Sequence, residues 1–223
     1  MNAVSAQLNK GLRERCRPLE QALAPGNSNG ADYLMNSPLL FKHLATYSTE
    51  RDYQILDILP AYRQLVDFFS NLHCKLYLPG CQRQLMTICL DQLDTQHKLN
   101  RALIKMLGFK KQDSAKLDLL LLWDLPNYLD SKVLRAIFEY LIPHCSEQAF
   151  VHTYVHTREH MPATPAKYRL NGDDKVSVLQ DASEKVPSPM FHKESLQKAL
   201  SPFVVERGVL LSNGLQEYLL KRS

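Results

Sequence analysis

Residues 117–130 read LDLLLLWDLPNYLD, a run holding five leucines and the only tryptophan of the chain before an abrupt Asp-Leu-Pro-Asn-Tyr. The run is too apolar for a surface strand. It also falls far short of the ~20 apolar residues that a membrane helix needs. Near-continuous hydrophobicity over so short a span is the pattern of a strand covered on both faces in a parallel sheet. Its polar ending then falls where open α/β sheets place ligands, beyond the carboxyl ends of their strands.

The segments around it alternate in the same sense. DYQILDILPA (52–61) and HCKLYLPG (73–80) read as short buried strands ended by proline, and AFVHTYVHT (149–157) as a further strand rich in β-branched and aromatic residues. Helical patterns lie between them: a piece opened by Asn36-Ser37-Pro38, then YRQLVDFFSNL, two segments within 81–108 with Gly108 as a C-cap, and DSKVLRAIFEYL capped by Asp130 or Ser131. A short helix, HKESLQKALS, precedes two apolar runs around Asn213-Gly214, a strong hairpin signal. Strands alternating with helices give a mostly parallel sheet flanked by helices, and the terminal hairpin adds antiparallel strands to it.

A chain of 223 residues suits one α/β domain with an additional segment. Residues 1–30 are read as an N-terminal helical extension and linker, with APGNSNG (24–30) as the break. Residues 31–223 form the domain, interrupted by an irregular insertion at 157–190 rich in Pro, Asp, Lys and Ser. The five cysteines are scattered without a Cys-x-x-Cys pair, which argues against a disulfide framework and a zinc ribbon. The start has no apolar signal-peptide segment, so a cytoplasmic protein without membrane association is expected. A net charge of +4 is mild, and nucleic-acid binding is not expected.

This order resembles the class I S-adenosylmethionine-dependent methyltransferase fold over roughly residues 31–223. ILDILPA looks like its first strand and cofactor loop, and CKLYLPG like its second strand. DLLLLWDLPNYL is similar to the fourth strand with the loop after it, and AFVHTYVHT to the fifth. FVVERGVLLSNGLQEYLLKR resembles the final hairpin, while residues 93–110 read as helix, so the third strand is missing.

The resemblance implies S-adenosylmethionine as cofactor, with Asp57, Leu59, Pro60, Ala61 and Pro79 around it. It implies catalytic roles for Asp124, Asn127 and Tyr128, because DLPNY resembles the Asp-Pro-Pro-Tyr loop that orients a substrate nitrogen in amino-group methyltransferases. The sequence departs from the family pattern at three places. The first loop has no glycine, where the family needs close backbone approach to the cofactor. The second strand ends in Leu78-Pro79-Gly80, without the carboxylate that accepts the ribose hydroxyls. The third strand is missing. A second expectation follows: a non-catalytic protein that keeps the fold as a scaffold for a protein partner.

His152, His156 and His160 stand four apart. On a strand, His152 and His156 are about 13 Å apart at ~3.3 Å per residue, too far for one ion, so no metal is expected. His156, near a strand's carboxyl end, is a candidate general base. Neither Ser-His-Asp order, nor a Walker loop, nor a Gly-x-Ser-x-Gly elbow is present.

Overall fold

In the computed structural model, the described residues are 31–59, 63–70, 72–88, 96–109, 116–172, 174–181 and 183–223. The extension 1–30 and the loop positions Pro60 and Ala61 lie outside them. The strands are β1 (Ala31–Asn36), β2 (Tyr53–Asp57), β3 (Cys74–Tyr77), β4 (Leu117–Trp123), β5 (Cys145–His156), β6 (His160–Pro162), β7 (Lys167–Gly172), β8 (Lys175–Gln180), β9 (Lys185–Pro187), β10 (Phe203–Leu210) and β11 (Leu215–Arg222). The helices are α1 (Pro38–Leu44), α2 (Arg63–Phe69), α3 (Gln82–Met86), α4 (Gln96–Leu107), α5 (Ser131–Leu141) and α6 (Lys193–Ala199).

The central sheet has six strands in the order β10-β11-β5-β4-β2-β3. Strands β3, β2, β4 and β5 run parallel, and β11 is antiparallel to both β5 and β10. This is the class I methyltransferase-like order, with the last strand inserted beside the fifth. Among the described residues no strand stands beyond β3, where the family has its third.

Strand β4 lies near the middle, and every one of its residues is buried. Its leucines belong to the continuous buried core, and burying each stabilises the fold by about 1.5–3 kcal/mol. The one carboxylate in the strand, Asp118, is bonded to the guanidinium of Arg51 and accepts the Gln54 amide at 2.9 Å. Helix α5 turns Val133, Leu134, Ile137, Phe138 and Leu141 inward, and Asp130 caps it by accepting the Lys132 amide at 2.7 Å. The hairpin turn works as its Asn-Gly pair predicts: Gly214 has φ of 84° and Asn213 Oδ1 accepts the Leu215 amide at 3.1 Å.

One sequence expectation needs correction, and one strand was not foreseen. Residues 31–36, which had no element assigned, form β1, and the helix opened by Asn36-Ser37-Pro38 follows it as α1. The segment 157–190 is not irregular, because it contains β6, β7, β8 and β9. Strand β8 pairs with β1 on one side and β7 on the other, giving a three-stranded antiparallel sheet, and β6 pairs with β9. The prolines that suggested a loop sit in or beside the short β6–β9 pair, where a missing N–H is tolerated. Val176, Val178, Tyr168 and Leu170 alternate with polar residues, so the buried face of this sheet was diluted to a polar average.

Candidate functional site

The carboxyl ends of β2 and β4 bring Asp57, Trp123 and Asp124 together, and all three are fully buried. Asp57 Oδ1 accepts the Leu59 amide at 2.9 Å and the Trp123 indole N–H at 2.8 Å. Its Oδ2 has no hydrogen-bond partner among the described residues. Burial pushes the Asp57 carboxyl up to about 7 even though these two bonds favour its charged form.

Trp123 holds φ of 53°, a left-handed conformation that costs a non-glycine residue roughly 1–2 kcal/mol. The surroundings fix it there. Its ring stacks on Tyr168 of β7, with centroids 5.0 Å apart and planes 7° from parallel, and its carbonyl accepts the Thr153 hydroxyl at 2.6 Å. Tyr154 lies against the same Tyr168 ring at 5.3 Å. A buried aromatic stack thus joins the end of β4 to the inserted sheet. Strain at a strand end is a pointer to function, and here it turns the next residue toward the insertion.

That next residue is Asp124. Its Oδ2 accepts the Ala166 amide at 3.0 Å. Oδ1 lacks a hydrogen-bond partner among the described residues; the Tyr168 phenol acts on the carboxylate from outside that geometry. Burial raises Asp124 to about 7, opposed by the Ala166 amide and Tyr168. Asn127 is fully engaged: its amide nitrogen donates to the carbonyls of Asp124 at 2.7 Å and Tyr154 at 2.9 Å, and its oxygen accepts the His156 amide at 2.9 Å. The Tyr128 hydroxyl donates to the Thr164 carbonyl at 2.9 Å. Gln180 donates to that same carbonyl at 2.9 Å.

Leu59 is buried in the core, and Pro79 is half-buried beyond β3. Pro60 and Ala61 lie outside the described residues. His152 is fully buried, His156 half-buried and His160 exposed, and among the described residues no three His, Cys, Asp or Glu side chains could hold a metal ion. Burial and the nearby Arg158 push His156 down to about 4.

Sequence reasoning placed Tyr168 in a solvated loop, where the structure buries it against Trp123, and it missed Ala166 and a second buried polar cluster around Glu217. The Glu217 carboxylate accepts the Ser37 hydroxyl at 2.6 Å, the Leu40 amide at 3.0 Å and the Leu39 amide at 3.2 Å, and lies 2.9 Å from His152 Nε2. Tyr154 completes it by donating to Ser37 Oγ at 2.7 Å. Ser37 bonds the carboxylate and not the imidazole, so no activated nucleophile arises. The cluster instead ties the end of β1 and the start of α1 to β5 and β11. Asn171-Gly172, between the alternating KYRL and KVSVLQ, was the available signal for the β7–β8 hairpin that carries Tyr168.

The chain matches no family model and no curated protein. Among solved structures it is similar to the pyocyanin biosynthetic protein PhzM, with 15% identity and a TM-score of 0.46 over 84% of this chain and 55% of PhzM. The chain thus spans about half the length of PhzM. It is similar to an S-adenosylmethionine-dependent methyltransferase from Clostridium acetobutylicum, with 13% identity and a TM-score of 0.45 over 96% and 98% of the two chains. It is also similar to the glycopeptide N-methyltransferase MtfA complexed with S-adenosyl-L-methionine, with 8% identity and a TM-score of 0.43 over 83% and 86%. The chain carries a class I methyltransferase-like fold. That assignment rests on the strand order and terminal hairpin, and it concerns the fold alone. Among the described residues no helix is long and apolar enough to cross a membrane.

Proposed function

We propose that this chain is a non-catalytic methyltransferase-fold protein, a scaffold that acts by binding a partner and not by transferring a methyl group. The observation that carries this reading is the bond from the Ala166 amide to Asp124 Oδ2, with Tyr168 stacked on Trp123 beside it. A substrate nitrogen would need the Asp124 side chain free at the rim. Asp124 is instead fully buried with one oxygen bonded to the Ala166 amide, and its carbonyl is taken by the Asn127 side chain.

S-adenosylmethionine offers a ribose diol, an ammonium and a carboxylate. Asp57 is bonded to Leu59 and Trp123, and the end of β3 supplies Leu78, Pro79 and Gly80 where a carboxylate would grip the diol. As arranged, the described residues do not fit the cofactor, so no step is routed through it. A second reading, in which the chain still binds S-adenosylmethionine, is favoured by the unpartnered Asp57 Oδ2.

Thermal denaturation with millimolar S-adenosylmethionine or S-adenosylhomocysteine separates the two. A ligand that binds only the native state raises the midpoint. An unchanged midpoint supports the scaffold, and a rise that Asp57→Asn abolishes supports the second reading.

A further inference from the structure

We propose that a cleft at the amino-terminal ends of the parallel strands, the end of the sheet opposite Asp57 and Asp124, binds a small oxyanion-bearing ligand with phosphate or carboxylate groups. The topology builds it. Arg51 precedes β2, Lys116 precedes β4, Cys145 and Ser146 open β5, and Arg222 ends the antiparallel β11, so strands of both directions deliver side chains to one place. The cleft has a volume of about 570 Å³, within the range of small-molecule sites.

Its lining carries three cations, Arg51, Lys116 and Arg222, against one carboxylate, Glu147. Of the three, only Arg51 is bonded to an acid among the described residues, Asp118. Lys116 Nζ donates to the Pro143 carbonyl at 3.2 Å, and Arg222 Nη1 donates to the carbonyls of Cys145 at 2.8 Å and Ser146 at 3.1 Å. Neutral carbonyls fix these heads in position without cancelling their charge. An already positioned guanidinium loses less freedom on meeting a phosphate or carboxylate than a free one does.

Two further features point to a ligand. Ser146 Oγ is buried and has no hydrogen-bond partner among the described residues. The charges of Arg222 and Lys116 both reach the buried Cys145 thiol in the cleft wall, ahead of the opposing charge of Asp118. Ile142 supplies an apolar wall beside these charges, which suits an anionic head on a carbon body. This inference stands apart from the question of methyl transfer, because it uses none of the residues at the carboxyl ends of the strands.

Calorimetric titration at constant ionic strength with inorganic pyrophosphate in one arm and citrate in the other tests it. Saturable binding is expected in at least one arm, and the arm that binds distinguishes phosphate from carboxylate. Added salt weakens it. Lys116→Glu changes an exposed side chain and is expected to weaken binding about tenfold or more. Lys132→Glu, an exposed change on α5 outside the cleft, is expected to leave it intact. The proposal is overturned by no saturable heat in either arm, by Lys116→Glu binding as the wild type does, or by Lys132→Glu weakening binding equally.

Discussion

The Trp123 indole donates to Asp57 Oδ1 at 2.8 Å, joining the ends of two neighbouring parallel strands through fully buried groups. In an enzyme of this fold the corresponding carboxylate would face a cofactor loop. Here it holds a tryptophan, and the tryptophan holds Tyr168 of the inserted sheet. Trp123→Phe keeps an aromatic ring but removes the donor. The expected loss is about 1–3 kcal/mol of unfolding free energy, seen as a lower urea midpoint. In combination with Asp57→Asn the loss should be smaller than the sum of the single changes.

The buried acids give a pH signature. Asp57 and Asp124 are raised to about 7, so the folded state holds protons that the unfolded chain releases near pH 3.8. Their stabilisation is complete below that pH and is lost as pH rises through about 7. His43 and His156 work the other way. Burial, aided by His152 and Arg158 respectively, lowers them to about 4, so they favour folding increasingly as pH rises toward their ordinary 6.5. The two effects oppose each other in the wild type. The difference between wild type and Asp57→Asn isolates one of them: the variant should gain on the wild type steadily from pH 4 to pH 7, by up to ~1.4 kcal/mol per unit of pH. Urea unfolding at a series of pH values measures it, and a flat difference would count against a buried, raised carboxyl.

Glu217 sits among donors from three parts of the chain. Burial pushes its carboxyl up, but His152, Ser37 and the Leu40 amide outweigh it and hold the group below the ordinary range. Its contribution is therefore present above the unfolded value of 4.5 and lost as pH falls. Glu217→Gln removes the charge and puts an amide donor among the Ser37 hydroxyl and the Leu39 and Leu40 amides, which all donate to this position. A loss of about 2–5 kcal/mol is expected by chemical denaturation, with increased amide exchange at Leu39 and Leu40.

Gly208 on β10 lies under the ring of Tyr218, and a Cβ there would stand 2.8 Å from the ring carbon Cε1. Gly208→Ala is expected to destabilise the hairpin by roughly 1–3 kcal/mol, read from the thermal midpoint. Removing the ring with Tyr218→Ala should make the same glycine change nearly neutral.

The parts of the fold that the sequence made legible share a physical trait. Residues 117–123 are buried on both faces, so their hydrophobicity is continuous and points to one environment. Asp130 and Asn213-Gly214 act through local chemistry that needs no tertiary context. The inserted sheet was hidden because each of its strands buries only one face, and Pro162 and Pro187 imitate loop punctuation. At the site, Asp57 and Asp124 were readable as acids at strand ends. Their partners were not: Ala166 and Tyr168 reach them from a segment that is distant in sequence. Whether an acid at a strand end faces a ligand or an amide of its own chain depends on packing that single-residue patterns do not encode.

The most direct test of the scaffold reading is calorimetric titration of the full chain with S-adenosylhomocysteine at neutral pH. The expected result is no saturable heat, with the wild type and Asp57→Asn alike. One-to-one binding by the wild type that Asp57→Asn abolishes would contradict it.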